Sequence, residues 1–295
     1  MGLLRAIAVY GRMIKFSHSV FALPFAFSGA ALAAAHTGIT VAQIGWISLA
    51  MVGARSAAMG FNRLVDRHQD AANPRTQNRE LPQGAVSPLA VGLFVGVSAL
   101  ALIVAAYQLN PLCFYLSPLV LAVLFFYSLT KRFTWASHLV LGLSLGGAPL
   151  GAWIAVTGSF DPIPLLLCLG VLSWVAGFDI IYACQDHGFD AGTGLHSIPV
   201  RFGIARALHI ARLLHIVFVV LLVLLGHWAA LNFFYWLGVL MITGLLLYEH
   251  RLVRADDLSR LGTAFMTVNS IISLLFFAAL LVDLLVFGQG KLLLL

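Results

Sequence analysis

Between Glu80 and Lys131 the chain runs for fifty residues without a single Asp, Glu, Lys or Arg. A helix crosses a bilayer with about 20 apolar residues, so this stretch holds two membrane spans back to back. Further stretches free of charge cover 16–54, 133–160, 162–178, 213–248 and 261–282, with room for two, one, one, two and one more spans. Only 9% of residues are charged and 61% are hydrophobic, whereas a soluble domain carries roughly 25% charged residues to cover its surface. A soluble fold is excluded. The expectation is an all-α, polytopic integral membrane protein, a bundle of nine transmembrane helices forming a single domain over residues 1–295.

Turn chemistry divides the long stretches. His36-Thr37-Gly38, Asn110-Pro111, Asp161-Pro162 and the segment from Gly226-His227 to Asn232 separate successive helices. The pattern predicts helices near 13–35, 40–62, 88–109, 111–130, 138–157, 162–185, 206–226, 232–250 and 261–287, with Pro24 kinking the first. That first apolar run, ending in Ala33-Ala34-Ala35, is longer than the apolar core of a signal peptide and reads as a retained helix. With nine spans, all but Lys291 of the 17 basic residues fall on one side. Arg5, Arg12 and Lys15 begin that series and Arg251, Arg254 and Arg260 end it. The positive-inside rule makes that side cytoplasmic, in the cell's inner or plasma membrane.

Two acidic segments stand out against this background. The first reads Asn62-Arg63-Leu64-Val65-Asp66-Arg67-His68-Gln69-Asp70, and helical spacing puts Asn62, Asp66 and Asp70 on one face. The second runs from Asp179 through Tyr182 and Gln185-Asp186 to Asp190, with Asp179, Asp186 and Asp190 on one face. The pairs Asp66/Asp70 and Asp186/Asp190 share a spacing of four and lie 120 residues apart, which suggests two four-helix pseudo-repeats plus a ninth helix. Like charges one turn apart need a cation. Oxygen-only clusters suit Mg²⁺, which keeps some water and usually bridges to substrate phosphates, whereas zinc would call for His or Cys. The bland reading is that the acids mark solvated helix ends beside neutralising arginines; two matched pairs favour metal–phosphate binding.

The cations divide in the same way. Arg251, Arg254 and Arg260 need only the positive-inside rule. Arg55 lies about two turns before Asn62, at or within the membrane boundary, where ionisable groups are functional candidates. Lys131 and Arg132 come directly after Tyr127-Ser128-Leu129-Thr130 and could reach a diphosphate. The three cysteines all lie in apolar segments and form no Cys-x-x-Cys pair, so neither a disulfide nor a thiolate site is indicated. Gly142/Gly146 and Gly147/Gly151 read as helix-packing patterns, and His68, His187 and His196 as solvated or capping residues. No Walker-type glycine loop is present, and no nucleic-acid partner is expected.

The two acidic segments resemble the signatures of the UbiA family of intramembrane aromatic prenyltransferases, in its 4-hydroxybenzoate polyprenyltransferase-like branch. Further similarity comes from Asp70-Ala71-Ala72-Asn73-Pro74-Arg75-Thr76, Arg79-Glu80-Leu81-Pro82-Gln83-Gly84, Tyr127 to Arg132 and Ser17-His18-Ser19-Val20-Phe21-Ala22-Leu23-Pro24-Phe25. The resemblance implies that Asn62, Asp66 and Asp70 hold one Mg²⁺ and that Asp186 and Asp190 hold another. It implies that Lys131, Arg132 and Arg79 bind an allylic diphosphate, that Arg67 takes the carboxylate of an aromatic acid, and that Asp179 and Tyr182 complete the polar floor. The chain departs from the family at Arg63, where many members have an acid, and at Tyr182, where a strict repeat of the acidic motif would have one.

The activity implied by the resemblance is transfer of a polyprenyl group from a polyprenyl diphosphate in the lipid bilayer to an aromatic carboxylic acid such as 4-hydroxybenzoate, in ubiquinone or menaquinone biosynthesis. The alternative acceptor is a dihydroxynaphthoate of the futalosine route to menaquinone. Two other classes remain open. A CDP-alcohol phosphotransferase also uses intramembrane aspartates, but it should carry Asp-Gly before Ala54-Arg55. A transporter should place its ionisable groups near the bilayer midplane rather than at one face.

Overall fold

The computed structural model describes residues 3–288, which are helical almost throughout. Helix α1 (Leu3–Met13) comes first, and a 3₁₀ turn over Phe16–Phe21 leads into α2 (Leu23–Thr37). Next come α3 (Val41–Val65), the short α4 (Arg67–Ala72), α5 (Pro88–Leu109), α6 (Pro111–Thr130), α7 (Ser137–Thr157) and α8 (Pro162–Ala183). A 3₁₀ turn over Cys184–Asp186 joins α8 to α9 (His187–Thr193). After it come α10 (Ile198–Phe202), α11 (Ile204–Trp228), α12 (Phe233–Leu252) and, beyond a π-helical turn over Thr263–Val268, α13 (Asn269–Phe287). Among the described residues nine helices are long and apolar enough to cross a membrane, at the places expected from the charge-free stretches. The protein is an integral, multi-pass membrane protein. Lys291 lies outside the described residues, as does the side chain of Arg5.

Helix boundaries reflect local chemistry. Ser87 Oγ accepts from the Ala90 amide at 3.2 Å and Asp161 Oδ1 from the Ile163 amide at 2.8 Å, capping α5 and α8, each with proline in its first turn. Asp283, an acid within α13, accepts from the amides of Asn232 (2.8 Å) and Tyr235 (3.1 Å), so it satisfies the open N-terminus of α12. Pro24 does not kink a helix. It sits in the first turn of α2, where its missing amide costs no hydrogen bond.

The chain forms two compact units, which do not coincide with four-helix chain halves: residues 1–19 with 45–129, and residues 20–44 with 130–295. The first span joins the second unit because Gly29 of α2 lies directly against the Pro149 carbonyl of α7, an approach that any side chain would block. In that unit Gly142 and Gly146 of α7 meet the backbone carbonyls of Leu172 and Cys168 on α8, whereas Gly147 and Gly151 face open space and pack nothing. A buried polar chain also fixes α8: Trp174 Nε1 donates to Asn269 Oδ1 (2.8 Å) and Asn269 Nδ2 to Glu249 Oε1 (2.7 Å), linking α8, α13 and α12.

In the first unit Gly53 and Gly60 bring α3 close to α5, and Ala57, Leu102 and Leu121 form a core between α3, α5 and α6. Helix α1 was not foreseen from the sequence. Its Val9 and Met13, with Ile14, pack into a cluster with Leu81, Val86 and Val91, and Tyr10 stacks on Phe94 at 4.9 Å.

Candidate active site

Both acidic segments fall where a spanning helix stops and a short helix begins. Asp66 stands just before α4 with φ −90° and ψ 7°; Asp186 stands just before α9 with φ −95° and ψ 2°. The chain thus repeats one local structure 120 residues apart. Around Asp66 the helical register continues through the break: the Asp66 amide bonds the Asn62 carbonyl (2.9 Å) and the Asp70 amide bonds the Asp66 carbonyl (2.8 Å). Asn62, Asp66 and Asp70 therefore keep the common face read from their spacing. In the second segment the 3₁₀ turn over Cys184–Asp186 intervenes, so Asp186, which ends that turn, and Asp190 of α9 lie beyond the helix that carries Asp179.

In the first unit Asn62 Nδ2 donates to Asp66 Oδ2 at 3.0 Å. Arg79 places one guanidinium nitrogen across both Asp70 oxygens, at 2.7 and 2.8 Å. Asp66 is 2% exposed and Asp70 6%, and a buried carboxylate requires such partners. Arg63, the departure from the family pattern, is 4% exposed; it donates to Asn62 Oδ1 (3.2 Å) and to the Met13 carbonyl (3.1 Å) and lies 4.0 Å from Asp70. It orients the asparagine and ties α3 to the end of α1. Tyr127 lies half-buried in the last turn of α6.

Arg55 and Arg67 differ sharply. Arg67 is exposed, and its Nε donates to His68 Nε2 at 3.2 Å. Arg55 Nη2 donates to the Lys15 carbonyl at 3.0 Å, while its buried Nε has no hydrogen-bond partner among the described residues. The buried hydroxyl of Ser19 likewise has none. His18, beside Ser19, is half-buried in the neighbourhood of Lys15, Arg55 and Arg63. Burial, then the charges of Arg79, Arg63 and Arg75, lower the pKa of Lys15 below the ordinary lysine value. Lys15, Arg55 and Arg63 thus bring positive charge near the unpartnered Arg55 Nε, an arrangement that suits an anion. The sequence held a hint of this only in the position of Arg55; the contributions of Ser19, His18 and Lys15 carry no spacing signal.

In the second unit Asp179 Oδ2 lies 2.7 Å from His138 Nδ1. Tyr182, one turn on, stacks on Phe265 with ring centroids 4.1 Å apart. Asp186 and Asp190 are half-buried, Lys131 is half-buried and Arg132 exposed in the link between α6 and α7. Sequence reasoning missed His138 and Phe265, because a histidine or phenylalanine at the edge of an apolar helix reads as packing.

Among the described residues no three His, Cys, Asp or Glu side chains gather into a closed cage. Mg²⁺ takes one or two protein carboxylates and completes its shell with water and substrate phosphate. Asp70 already holds a cation, the Arg79 guanidinium, across both its oxygens, so the donor set fits a positive ion.

The profile of the UbiA prenyltransferase family matches residues 22–286. The chain belongs to the UbiA prenyltransferase family. It is a prenyltransferase, and the transporter and CDP-alcohol phosphotransferase readings fall away. A 4-hydroxybenzoate octaprenyltransferase of Marinobacter nauticus is 32% identical over 237 residues, 80% of each chain. A protoheme IX farnesyltransferase of Methylococcus capsulatus is 34% identical over 247 residues, 81% of each. Among solved structures, the apo form of a UbiA homologue from Aeropyrum pernix K1 superposes with a TM-score of 0.83 at 32% identity, covering 90% of this chain and 98% of that one. A UbiA homologue from Archaeoglobus fulgidus bound to GPP and Mg²⁺ shares the fold, with a TM-score of 0.71 at 20% identity over 94% of this chain and all of that one.

Proposed function

We propose that this prenyltransferase moves a polyprenyl group from an allylic diphosphate to an aromatic carboxylic acid of the 4-hydroxybenzoate type, at the cytoplasmic face, in quinone biosynthesis. In the reaction the C1–O bond of the donor breaks, a C–C bond forms to a ring carbon, and the ring gives up a proton. The products are the prenylated acid, diphosphate and H⁺. The repeated helix-end aspartates carry this reading, since paired carboxylates suit the Mg²⁺ that a departing diphosphate calls for.

Asn62, Asp66 and Asp70 would hold one Mg²⁺, and Asp186 and Asp190 another. When bound, the metal neutralises the charge that develops on the leaving diphosphate. Asn62 holds Asp66 in place, and Arg63 holds Asn62. Arg79, which spans both Asp70 oxygens, would bind the diphosphate oxygens, as would Lys131 and Arg132. Tyr182, backed by Phe265, and Asp179 wall the reacting carbon from water. The isoprenoid tail stays among apolar helices and lipid.

The acceptor carboxylate is taken by Arg55, Ser19, His18 and Lys15 rather than by Arg67. Unpaired buried donors support this choice: Arg55 Nε and Ser19 Oγ gain partners when an acid binds, whereas Arg67 is solvated. Relatives of similar identity carry names with quite different acceptors, 4-hydroxybenzoate and protoheme IX, so the carboxylate cluster supports the acid better than overall likeness does. The test is product mass from protein reconstituted in vesicles with geranyl diphosphate, Mg²⁺ and either 4-hydroxybenzoate, a dihydroxynaphthoate or the corresponding phenols without a carboxyl group. Prenylated acids are expected. Equal turnover of acids and carboxyl-free phenols would refute the carboxylate site.

A further inference from the structure

The geometry points to His138 as the residue that positions Asp179, through a short brace that also holds Lys131 and Asp190. This rests on the proposed prenyl transfer, in which Asp179 faces the reacting carbon. His138 stands at the start of α7 and is 3% exposed. Its Nε2 receives the Ile198 amide at 3.3 Å, and its Nδ1 lies 2.7 Å from Asp179 Oδ2. A backbone amide can only donate, so Nε2 presents a lone pair and the single ring proton sits on Nδ1. The imidazole therefore donates to Asp179. One carboxylate oxygen is fixed and the other is left for the reaction.

The amides around Ile198 do the same for two neighbours. Leu195 N–H bonds the Asp190 carbonyl at 3.0 Å and His196 N–H bonds the Lys131 carbonyl at 2.8 Å. Ser197 caps α10, its Oγ accepting from the Val200 amide at 3.3 Å, which fixes the far end of the segment. Four consecutive residues thus tie together the backbone of Lys131, the backbone of Asp190 and, through His138, the side chain of Asp179. A histidine that only filled space would not have both nitrogens engaged. Groups that orient active-site ligands in this way set their direction and basicity without touching substrate.

The test compares two variants of full-length protein in vesicles with geranyl diphosphate, an aromatic acid and Mg²⁺. His138→Met fills a similar space and has no donor for Asp179. His138→Gln carries a donor and an acceptor on two atoms bonded to one carbon, as the ring does. The Met variant should lose about 10–100-fold in kcat, the usual cost of removing an orienting group, with both KM values little changed. The Gln variant should recover most of that loss. Should the Met variant not assemble, His138→Leu gives the same readout. Equal losses in the apolar and Gln variants would make shape alone the role of His138 and overturn the inference. So would wild-type kcat in His138→Met when Asp179→Asn is impaired. A fully active Asp179→Asn would instead remove Asp179 from the proposed reaction, and this inference with it.

Discussion

Replacing Ser19 with alanine should weaken binding of the aromatic acid without weakening the protein. The Ser19 hydroxyl is buried with no partner among the described residues, so its removal breaks no hydrogen bond and relieves a desolvated polar group. With the acid bound, the hydroxyl donates to a carboxylate, a bond worth about 1.5–3 kcal/mol. At about 1.4 kcal/mol per tenfold, the KM for the acid should rise roughly 10- to 140-fold. The KM for the prenyl diphosphate should not move, and the melting temperature without ligand should hold or rise. Arg55→Lys should act in the same direction. Its one ammonium cannot serve both the Lys15 carbonyl, now bonded at 3.0 Å, and a carboxylate in the way a guanidinium fork can. Arg67→Lys, at an exposed side chain, should leave both KM values near wild type. The assay is steady-state turnover in Mg²⁺ with each substrate varied in turn, paired with thermal denaturation in detergent. A raised acid KM in Arg67→Lys with no change in Ser19→Ala would refute the reasoning and return the carboxylate to Arg67.

Arg79→Ala leaves the buried Asp70 without the guanidinium that now spans its oxygens. It should cost about 1.5–3 kcal/mol of stability, seen as a lower melting temperature, and excess Mg²⁺ should restore part of it. Lys15 has a lowered pKa, chiefly through burial, so its ammonium is lost at a pH below the ordinary 10.5. Acid binding should be intact at neutral pH and weaken as pH rises through that lowered value, and Lys15→Arg should move the loss to higher pH. For topology, a cysteine at exposed Asn78 should react with impermeant reagent only from the cytoplasmic side and one at exposed Ser159 only from the other. Labelling of both from one side would invalidate the orientation.

The spans were legible because bilayer thickness sets a length that few other structures demand, and charge is the one thing that such a length cannot contain. The acidic segments were legible because Asn62, Asp66 and Asp70 repeat at the helical period. Contacts between elements left no such trace. Nothing in the spacing of His138 and Asp179, forty-one residues apart, distinguishes a directed hydrogen bond from packing. Helix α1 escaped because its eleven residues, though mostly apolar, are too few to cross a bilayer and its basic residues read only as an orientation signal. Of two overlapping glycine patterns in α7, Gly142/Gly146 faces α8 and Gly147/Gly151 faces nothing, a choice made by the neighbour and not by the motif. The placement of α2 in the second unit rests likewise on the close approach of Gly29 and Pro149, which chain order alone does not reveal.

The central claim is that the carboxylates of both acidic segments hold the Mg²⁺ that takes up the leaving diphosphate. Its most direct measurement is diphosphate release by wild type, Asp66→Asn and Asp190→Asn in vesicles, each with Mg²⁺ and with excess EDTA. The account predicts loss of turnover by orders of magnitude in each variant, with melting temperatures showing a folded protein, and complete loss for wild type in EDTA. Full turnover in either variant, or in wild type stripped of metal, would contradict it.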